Sequence, residues 1–188
     1  MLETARRTAE EIFMHPSGLV SGVVLSGYQV VNSLSTPNRP DTMATAETVD
    51  LGPLHEPKAE SINAFRDIEH ELKERLLTTR REYQKHEREY FQAVEHLSDE
   101  ELAGFSAENL VAVRVAVSAY GVHLFGKVRI PALPESGPAY IHIRVFDVPG
   151  DEPAKLHSIH TEETEHPDGD KTYRAIFTDS DELEWFDT

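Results

Sequence analysis

The sequence contains no cysteine and comparatively few basic residues. Without cysteine the chain has no thiol nucleophile, no disulfide scaffold and no thiolate zinc site. Its 18 lysine and arginine residues stand against 34 aspartate and glutamate residues, which gives a formal net charge of −16. A surface of this sign repels phosphate backbones and anionic membranes, so we expect neither nucleic acid nor a membrane as a partner.

The sequence also lacks long apolar runs and the motifs of several enzyme classes. The apolar stretch Leu19–Leu25 is broken by Ser21 and Gly22 and is far too short to span a bilayer. Residues 1–13 carry three acidic residues and no apolar run, which is typical of neither a signal peptide nor a transit peptide, so we expect a cytoplasmic protein. No glycine-rich phosphate loop, G-x-S-x-G or H-E-x-x-H motif occurs, so we expect neither an enzyme nor a bound cofactor.

Composition divides the chain into an N-terminal extension, residues 1–60, and a domain, residues 61–188. Residues 1–14 favour a short amphipathic helix, and the valine-rich residues 19–31 favour a strand. Residues 32–60 contain four prolines among many Ser, Thr and Asp residues. This composition buries little, so we predict a linker or an extended segment that lies on the surface.

A long helix is predicted over residues 61–96, which contain neither glycine nor proline. Apolar residues recur there at spacings of three and four, and a helix of that length would measure roughly 50 Å. A small sheet covers only part of such a helix, so its later half is expected to project, to bend or to meet a partner. Ser98 and Glu101 form a capping-box pattern that predicts a short helix through Gly104.

After residue 105 the apolar pattern changes to a period of two, which is typical of strands. In residues 139–146 the side chains of Tyr140, His142, Arg144 and Phe146 are predicted on one face and those of the intervening apolar residues on the other. A long helix followed by strands joined through turn signals predicts the α+β class, with an antiparallel sheet of four to five strands on one helix. The predicted strands are 109–117, 122–130, 139–146, 156–163 and 171–177.

Three histidines lie among glutamates near the C-terminus: His157, His160 and His166. Histidine and carboxylate groups together are potential ligands of a divalent metal. On a strand, however, His157 and His160 would face opposite sides and would not converge. We therefore predict a charged surface hairpin here and no metal site.

Four short motifs in the C-terminal half resemble the cystatin superfamily, and its stefin branch in particular. The sequence YIHIRVF over residues 140–146 is similar to a stefin strand, and Val148-Pro149-Gly150 follows it at the spacing of the second stefin hairpin loop. Lys127-Val128-Arg129 matches the end of the preceding strand, and Tyr173 with Asp181-Glu182-Leu183 and Phe186 matches the stefin ending. The resemblance covers residues 105–188, with the predicted helix over 61–96 as the counterpart of the family helix.

This resemblance implies a cystatin-like fold and reversible inhibition of papain-like cysteine proteases. The family blocks the protease cleft with a wedge made of an N-terminal segment containing glycine, a first hairpin loop of pattern Gln-x-Val-x-Gly and the second loop. The resemblance places the protease-binding residues at Val117, Ser118, Ala119, Tyr120 and Gly121 in the first loop, and at Val148, Pro149 and Gly150 in the second.

The chain departs from the family pattern in its first loop and in its N-terminal segment. Only Gly121 keeps the first-loop pattern, since Val117 replaces the glutamine and Ala119 the valine. The glycine of the N-terminal segment corresponds to Gly18, Gly22 or Gly52. These departures and the long extension leave a second interpretation open: a non-inhibitory interaction or structural subunit that docks within a larger assembly.

Overall fold

The computed structural model describes residues 49–148, 150 and 152–187. The helix predicted over residues 1–14 and the strand predicted over 19–31 lie outside the described residues, as do Gly18 and Pro149. Within the described part of the chain, no helix combines the length and the apolar character that a bilayer crossing needs.

The first helix, α1 (Ala59–His86), presents one apolar stripe to the core. Its stripe follows the predicted spacing of three and four residues. The prediction that this helix continues to residue 96 is wrong beyond His86, because the chain leaves the helical conformation at Glu87 and continues as a 3₁₀ helix, Arg88–Val94. The buried apolar residues of the stripe are Ala64, Phe65, Ile68, Leu72 and Leu76.

A second helix, α2 (Asp99–Leu102), begins at the predicted capping box. The Glu101 amide donates to Ser98 Oγ at 3.1 Å, and the Ser98 amide donates to Glu101 Oε2 at 2.8 Å. The pKa of the Glu101 carboxyl is lowered, first by the hydrogen bond from the Ser98 backbone amide and then by the Ser98 hydroxyl. A short 3₁₀ helix, Ala107–Asn109, then leads into the sheet.

Four antiparallel strands form the main sheet in the order β1-β2-β3-β4: β1 (Leu110–Ser118), β2 (Gly121–Arg129), β3 (Tyr140–Asp147) and β4 (Lys155–Ile159). The predicted α+β class, with a helix packed on an antiparallel sheet, is confirmed. The strand predicted over 156–163 is divided, because the chain leaves the main sheet after Ile159. It then forms a separate two-stranded sheet from β5 (Glu162–Glu165) and β6 (Lys171–Arg174). Of the predicted fifth strand, 171–177, only Phe177 pairs with the main sheet, through a bridge to Tyr140 of β3.

The sheet packs its first face against α1, as the alternation in β3 predicts. Ile141, Ile143 and Val145 are fully buried in the same apolar cluster as Phe65 and Leu72 of α1. At about 25 cal/mol per Å² of apolar surface removed from water, this cluster is the main source of stability of the fold.

The second face of the sheet is covered by the C-terminal segment, residues 175–187. Phe125 of β2 packs edge-on against Phe186, with ring centroids 5.4 Å apart, and Leu183 belongs to the same small cluster. Both faces of the sheet are therefore largely buried.

An extended segment before α1 lies along the outer edge of β1. The Gly52 amide donates to the carbonyl oxygen of Val115 at 2.9 Å, and His55 exchanges two backbone hydrogen bonds with Val113. The Arg114 side chain donates to the carbonyl oxygens of Gly52 and Leu51. Where the structure describes it, the predicted extension is thus an extended segment held against the sheet.

Candidate functional site

The two hairpin loops predicted to bind a protease lie next to each other at one end of the sheet. The β1–β2 turn joins Ser118 to Gly121, and the register pairs Val122 with Asp147, the last residue of β3. The β3–β4 loop starts directly after Asp147. We call this end of the sheet, with residues 117–121, Val148 and Gly150, the tip end.

Gly121 allows the two loops to approach closely. A Cβ atom built at Gly121 would lie 2.5 Å from the carbonyl oxygen of Asp147 and 3.0 Å from the ring of Phe146. Backbone cannot give way at that distance, so any side chain at position 121 would push the loops apart.

The β1–β2 turn is held by its own serine and presents two apolar side chains to solvent. Ser118 Oγ donates to the carbonyl oxygen of Gly121 at 2.9 Å and accepts from the Tyr120 amide at 3.3 Å. Val117 is 71% exposed and Tyr120 is 57% exposed. Exposed side chains of this size on a fixed turn are typical of contact residues at protein interfaces.

The β3–β4 loop is attached to α1 by a hydrogen bond. The backbone amide of Ala154 donates to Asp67 Oδ2 of α1 at 3.1 Å. Gly150 is exposed and has a φ of 132°, a conformation that disfavours any residue with a Cβ. The loop thus has a fixed base and an exposed glycine beyond it.

The segment along β1 leads toward the tip end. It runs antiparallel to β1, since His55 pairs with Val113 and Gly52 bonds Val115, so from His55 back to Gly52 it follows β1 in the direction of the β1–β2 turn. A Cβ atom at Gly52 would lie 2.8 Å from the Val115 carbonyl oxygen. Of the three glycines considered for the N-terminal segment, Gly52 is the one that the structure describes.

A groove of about 430 Å³ opens beside the tip end, between the start of α1 and the first sheet face. Its floor is apolar, from Ala64, Val115, Val122 and Leu124. Polar side chains line its remaining walls: His55, Lys58, Glu60, Ser61 and Asp147. The exposed apolar surface at this end of the molecule therefore continues from the turn into a concave region.

Sequence reasoning missed the cationic side chains buried on the second sheet face. Lys127 Nζ donates to the carbonyl oxygens of Asp179 and Asp181, both at 2.7 Å, and Arg114 donates to that of Leu183 at 3.0 Å. Arg144 is 2% exposed and donates to the carbonyl oxygen of Phe186 at 3.0 Å. The sequence did contain an indication of this arrangement. The three cationic residues lie on the same face of neighbouring strands, and the C-terminal segment contains aromatic residues.

Burial changes the titration of the groups on this second face. It lowers the pKa of Lys127, and it lowers the pKa of His123 to about 4, with the nearby Arg144 guanidinium as the next cause. His123 and Arg144 lie in contact, with 3.3 Å between Nδ1 and the guanidinium nitrogen. His123 is therefore neutral at neutral pH, which suits its position beside a buried cation.

The predicted charged hairpin is present as β5 and β6, whose residues are mostly exposed and paired by charge, as in Arg174 with Glu162 at 2.6 Å. His157 and His160 do not belong to this exposed hairpin, since His157 lies in β4 and the ring of His160 stacks with those of Phe177 and Phe186. Among the described residues, no three histidine or acidic side chains are grouped closely enough to hold a metal ion.

Comparison with known proteins adds no relative to this description. No protein-family model, no curated protein sequence and no solved structure matches the chain. The function must therefore be inferred from the chain's own residues.

Proposed function

We propose that this protein is a reversible, stefin-like inhibitor of papain-like cysteine proteases with a cystatin-like fold, acting in the cytoplasm. The observation that carries the proposal is the tip end, where Gly121 brings the first loop against the start of the second. The segment through Gly52, which leads to the same end, supplies the third part of such a wedge. The strand order, with an extended segment, a helix and then an antiparallel meander, is compatible with this assignment.

The proposed wedge works through shape and rigidity and has no catalytic group. Val117 and Tyr120 enter the protease cleft as apolar contacts, on a turn that Ser118 already holds in place. A prearranged loop loses little conformational entropy on binding, so it binds more tightly than a flexible peptide that makes the same contacts. The loops do not present a peptide bond to the catalytic thiol in the extended conformation of a substrate. The protease is therefore blocked and does not cleave the inhibitor.

Titration of active papain with the folded full chain tests this proposal. We expect inhibition at micromolar concentration or below, and a loss of roughly tenfold or more in the variants Val117→Asp and Tyr120→Ala, as for contact residues at the centre of an interface. Val111→Asp is the matched control, because Val111 is 37% exposed at the opposite end of β1. Absence of inhibition by the folded chain would remove the proposal.

The second candidate is a non-inhibitory subunit of an assembly that keeps the fold but has lost the inhibitory loop. The observation that favours it is the first loop itself, where Val117 and Ala119 replace the glutamine and valine of the family pattern. Under this alternative a bulky residue at Gly121 leaves assembly unchanged, whereas under the first proposal it abolishes protease binding.

A further inference from the structure

Three aromatic side chains in contact connect the tip end with the C-terminal segment. The Phe146 ring lies over Gly121, since a Cβ atom there would come within 3.0 Å of two ring carbons. Phe146 and His123 are direct partners across β3 and β2, with ring centroids 4.8 Å apart. His123 also lies against Trp185 of the C-terminal segment, with centroids 5.8 Å apart. We call Phe146, His123 and Trp185 the aromatic row.

His123 is the titratable member of the aromatic row, and its hydrogen bond requires the neutral ring. The residue is buried, and 3.3 Å separate its Nδ1 atom from a guanidinium nitrogen of Arg144. A guanidinium has donors only, so Nδ1 must accept this bond with its lone pair. A proton added at Nδ1 would take up that lone pair and bring two cations into contact. The packed arrangement therefore disfavours the imidazolium form.

The charged groups around His123 also act against protonation of the packed ring. Burial, and then the Arg144 guanidinium, lower the pKa of His123, and His157 of β4 acts in the same direction. Asp187 of the C-terminal segment opposes them, but its carboxylate is already bonded to Arg144. On β1, the direct partner of His123 is the apolar Ala116. A proton on His123 is therefore accommodated best when the ring leaves this packing.

We propose that protonation of His123 loosens the tip end, so that acid regulates the two loops through a positioning residue. The protonated ring leaves Arg144, the Phe146 ring loses its support, and the close approach at Gly121 opens. The loosening is a property of the chain alone, whereas regulation of protease binding by this step rests on the function proposed above. Inhibition is then weaker in acid than at neutral pH.

Hydrogen exchange of the backbone amides of the full chain, without a protease, tests the loosening. Val122 is the probe, because it pairs with Asp147 beside the two loops. Between pH 7 and pH 5 its protection, relative to an unstructured chain, should fall about tenfold or more. A ring that titrates with a pKa of about 4 when packed and near 6.5 when released gives a change of this size.

Two variants separate this local opening from global unfolding. His123→Phe keeps an aromatic ring in the row but cannot be protonated, so the pH should change protection at Val122 by less than about twofold. His142→Phe is the matched control, because His142 is a second buried histidine on the same sheet face, outside the aromatic row. It should keep the tenfold loss. If His123→Phe does not fold, His123→Asn retains an acceptor for Arg144 without titrating and serves the same comparison.

Inhibition of papain by the same chains connects the loosening with function. The inhibition constant of the wild-type chain, divided by that of His123→Phe, should be about twofold or more higher at pH 4.5 than at pH 7. The pH dependence of papain itself cancels in this ratio. If the wild-type chain does not inhibit papain at all, the proposed function fails, and the exchange experiment still decides whether His123 controls the loops.

Three results would overturn the inference. The first is protection of the Val122 amide that is unchanged between pH 7 and pH 5, or that falls equally in His123→Phe. The second is exchange at Val122 that up to about 1 M urea accelerates as strongly as exchange at Val128, at the other end of β2, because the loops would then open only with the whole fold. The third, an unchanged ratio of inhibition constants despite loosening, would remove the regulation of protease binding.

Discussion

Arg80 donates a hydrogen bond of 2.9 Å to the carbonyl oxygen of Leu97, which lies seventeen residues further along the chain. The same guanidinium bonds Asp99, the first residue of α2, and Arg80 as a whole is buried. This bond returns the chain to the side of α1 after the 3₁₀ helix. It thereby holds the start of α2 against α1.

Replacing Arg80 should destabilise the protein far more than replacing its neighbour. Arg81 bonds the same carboxylate of Asp99, but its side chain is 60% exposed, against 7% for Arg80. Arg80→Met leaves the Leu97 carbonyl without its donor and should lower the free energy of unfolding by about 2 kcal/mol. Arg81→Met should change it by less than about 0.5 kcal/mol. Urea denaturation measures both, and equal effects would contradict this account.

Gly121→Ala should destabilise the sheet and open the tip end. The new Cβ would meet the backbone of Asp147, so we expect a loss of about 2 kcal/mol or more in the free energy of unfolding. Gly137→Ala is the control, because a Cβ there has no atom within 4 Å. Thermal and urea unfolding compare the two, and an unperturbed Gly121→Ala variant would show that the loops are not held as closely as described.

We expect Arg144 to hold the C-terminal segment, residues 175–187, against the sheet. Its guanidinium carbon lies 4.4 Å from the centre of the Trp185 ring, and it bonds both the Phe186 carbonyl and the Asp187 carboxylate. Arg144→Met should lower the free energy of unfolding by about 2 kcal/mol. The loss is no larger because the Asp187 carboxylate remains largely solvated without its partner.

Trp185 is the only tryptophan of the chain, so its fluorescence reports directly on this contact. We expect a shift of the emission to longer wavelength in Arg144→Met under native conditions, as the ring becomes exposed. Arg66→Met, an exposed arginine on α1, should leave both the emission and the stability unchanged. A native emission in Arg144→Met would show that the segment is held by its apolar residues alone.

Stability should fall as the pH is lowered from 6.5 toward 4.5. The folded pKa values of His123 and His142 are about 4 and about 3, below the ordinary value of 6.5, so in this window the unfolded chain binds more protons. The free energy of unfolding then decreases with a slope of about two protons near pH 5. The pKa of His157 is also lowered by burial, which adds to the same trend.

Urea denaturation at several pH values above 4.5 measures this slope, because most carboxylates titrate at lower pH. His142→Phe should reduce it by about one proton, because one buried neutral histidine is removed. His70→Gln, at a highly exposed position, should leave it unchanged. A flat profile between pH 4.5 and 6.5 would mean that the two rings are protonated as easily in the folded protein as in the unfolded chain.

The sequence was sufficient to predict the elements that depend on local pattern. The period-two residues of β1, β2 and β3 and the capping box at Ser98 were found at nearly their observed bounds. The end of α1 was not, since the apolar spacing continues through Tyr90 and Val94. The helix ends at His86, before the apolar spacing does, and Arg80 then holds residues 97–99 against it through a long-range contact that leaves no periodic signal.

The C-terminal segment shows the other limit of sequence reasoning. Residues 147–188 hold 13 acidic residues against 3 basic ones, a composition that favours a solvated surface. The structure instead uses the backbone carbonyls of this segment as acceptors for Lys127 and Arg144, while the carboxylates of Asp179 and Glu184 stay outside. Charge patterns describe side chains, so they do not reveal a segment bound through its main chain.

The extended segment on β1 also limits how copies of this protein can associate. With Gly52 and His55 bonded to Val115 and Val113, the middle of β1 is covered, whereas β4 has no strand on its outer side in the described part of the chain. Fibre growth by strand addition needs two such edges on every molecule. Pairing of two copies through β4 would bury the outer edge of β4 in each copy, and the covered middle of β1 would then hinder the addition of further copies to the main sheet.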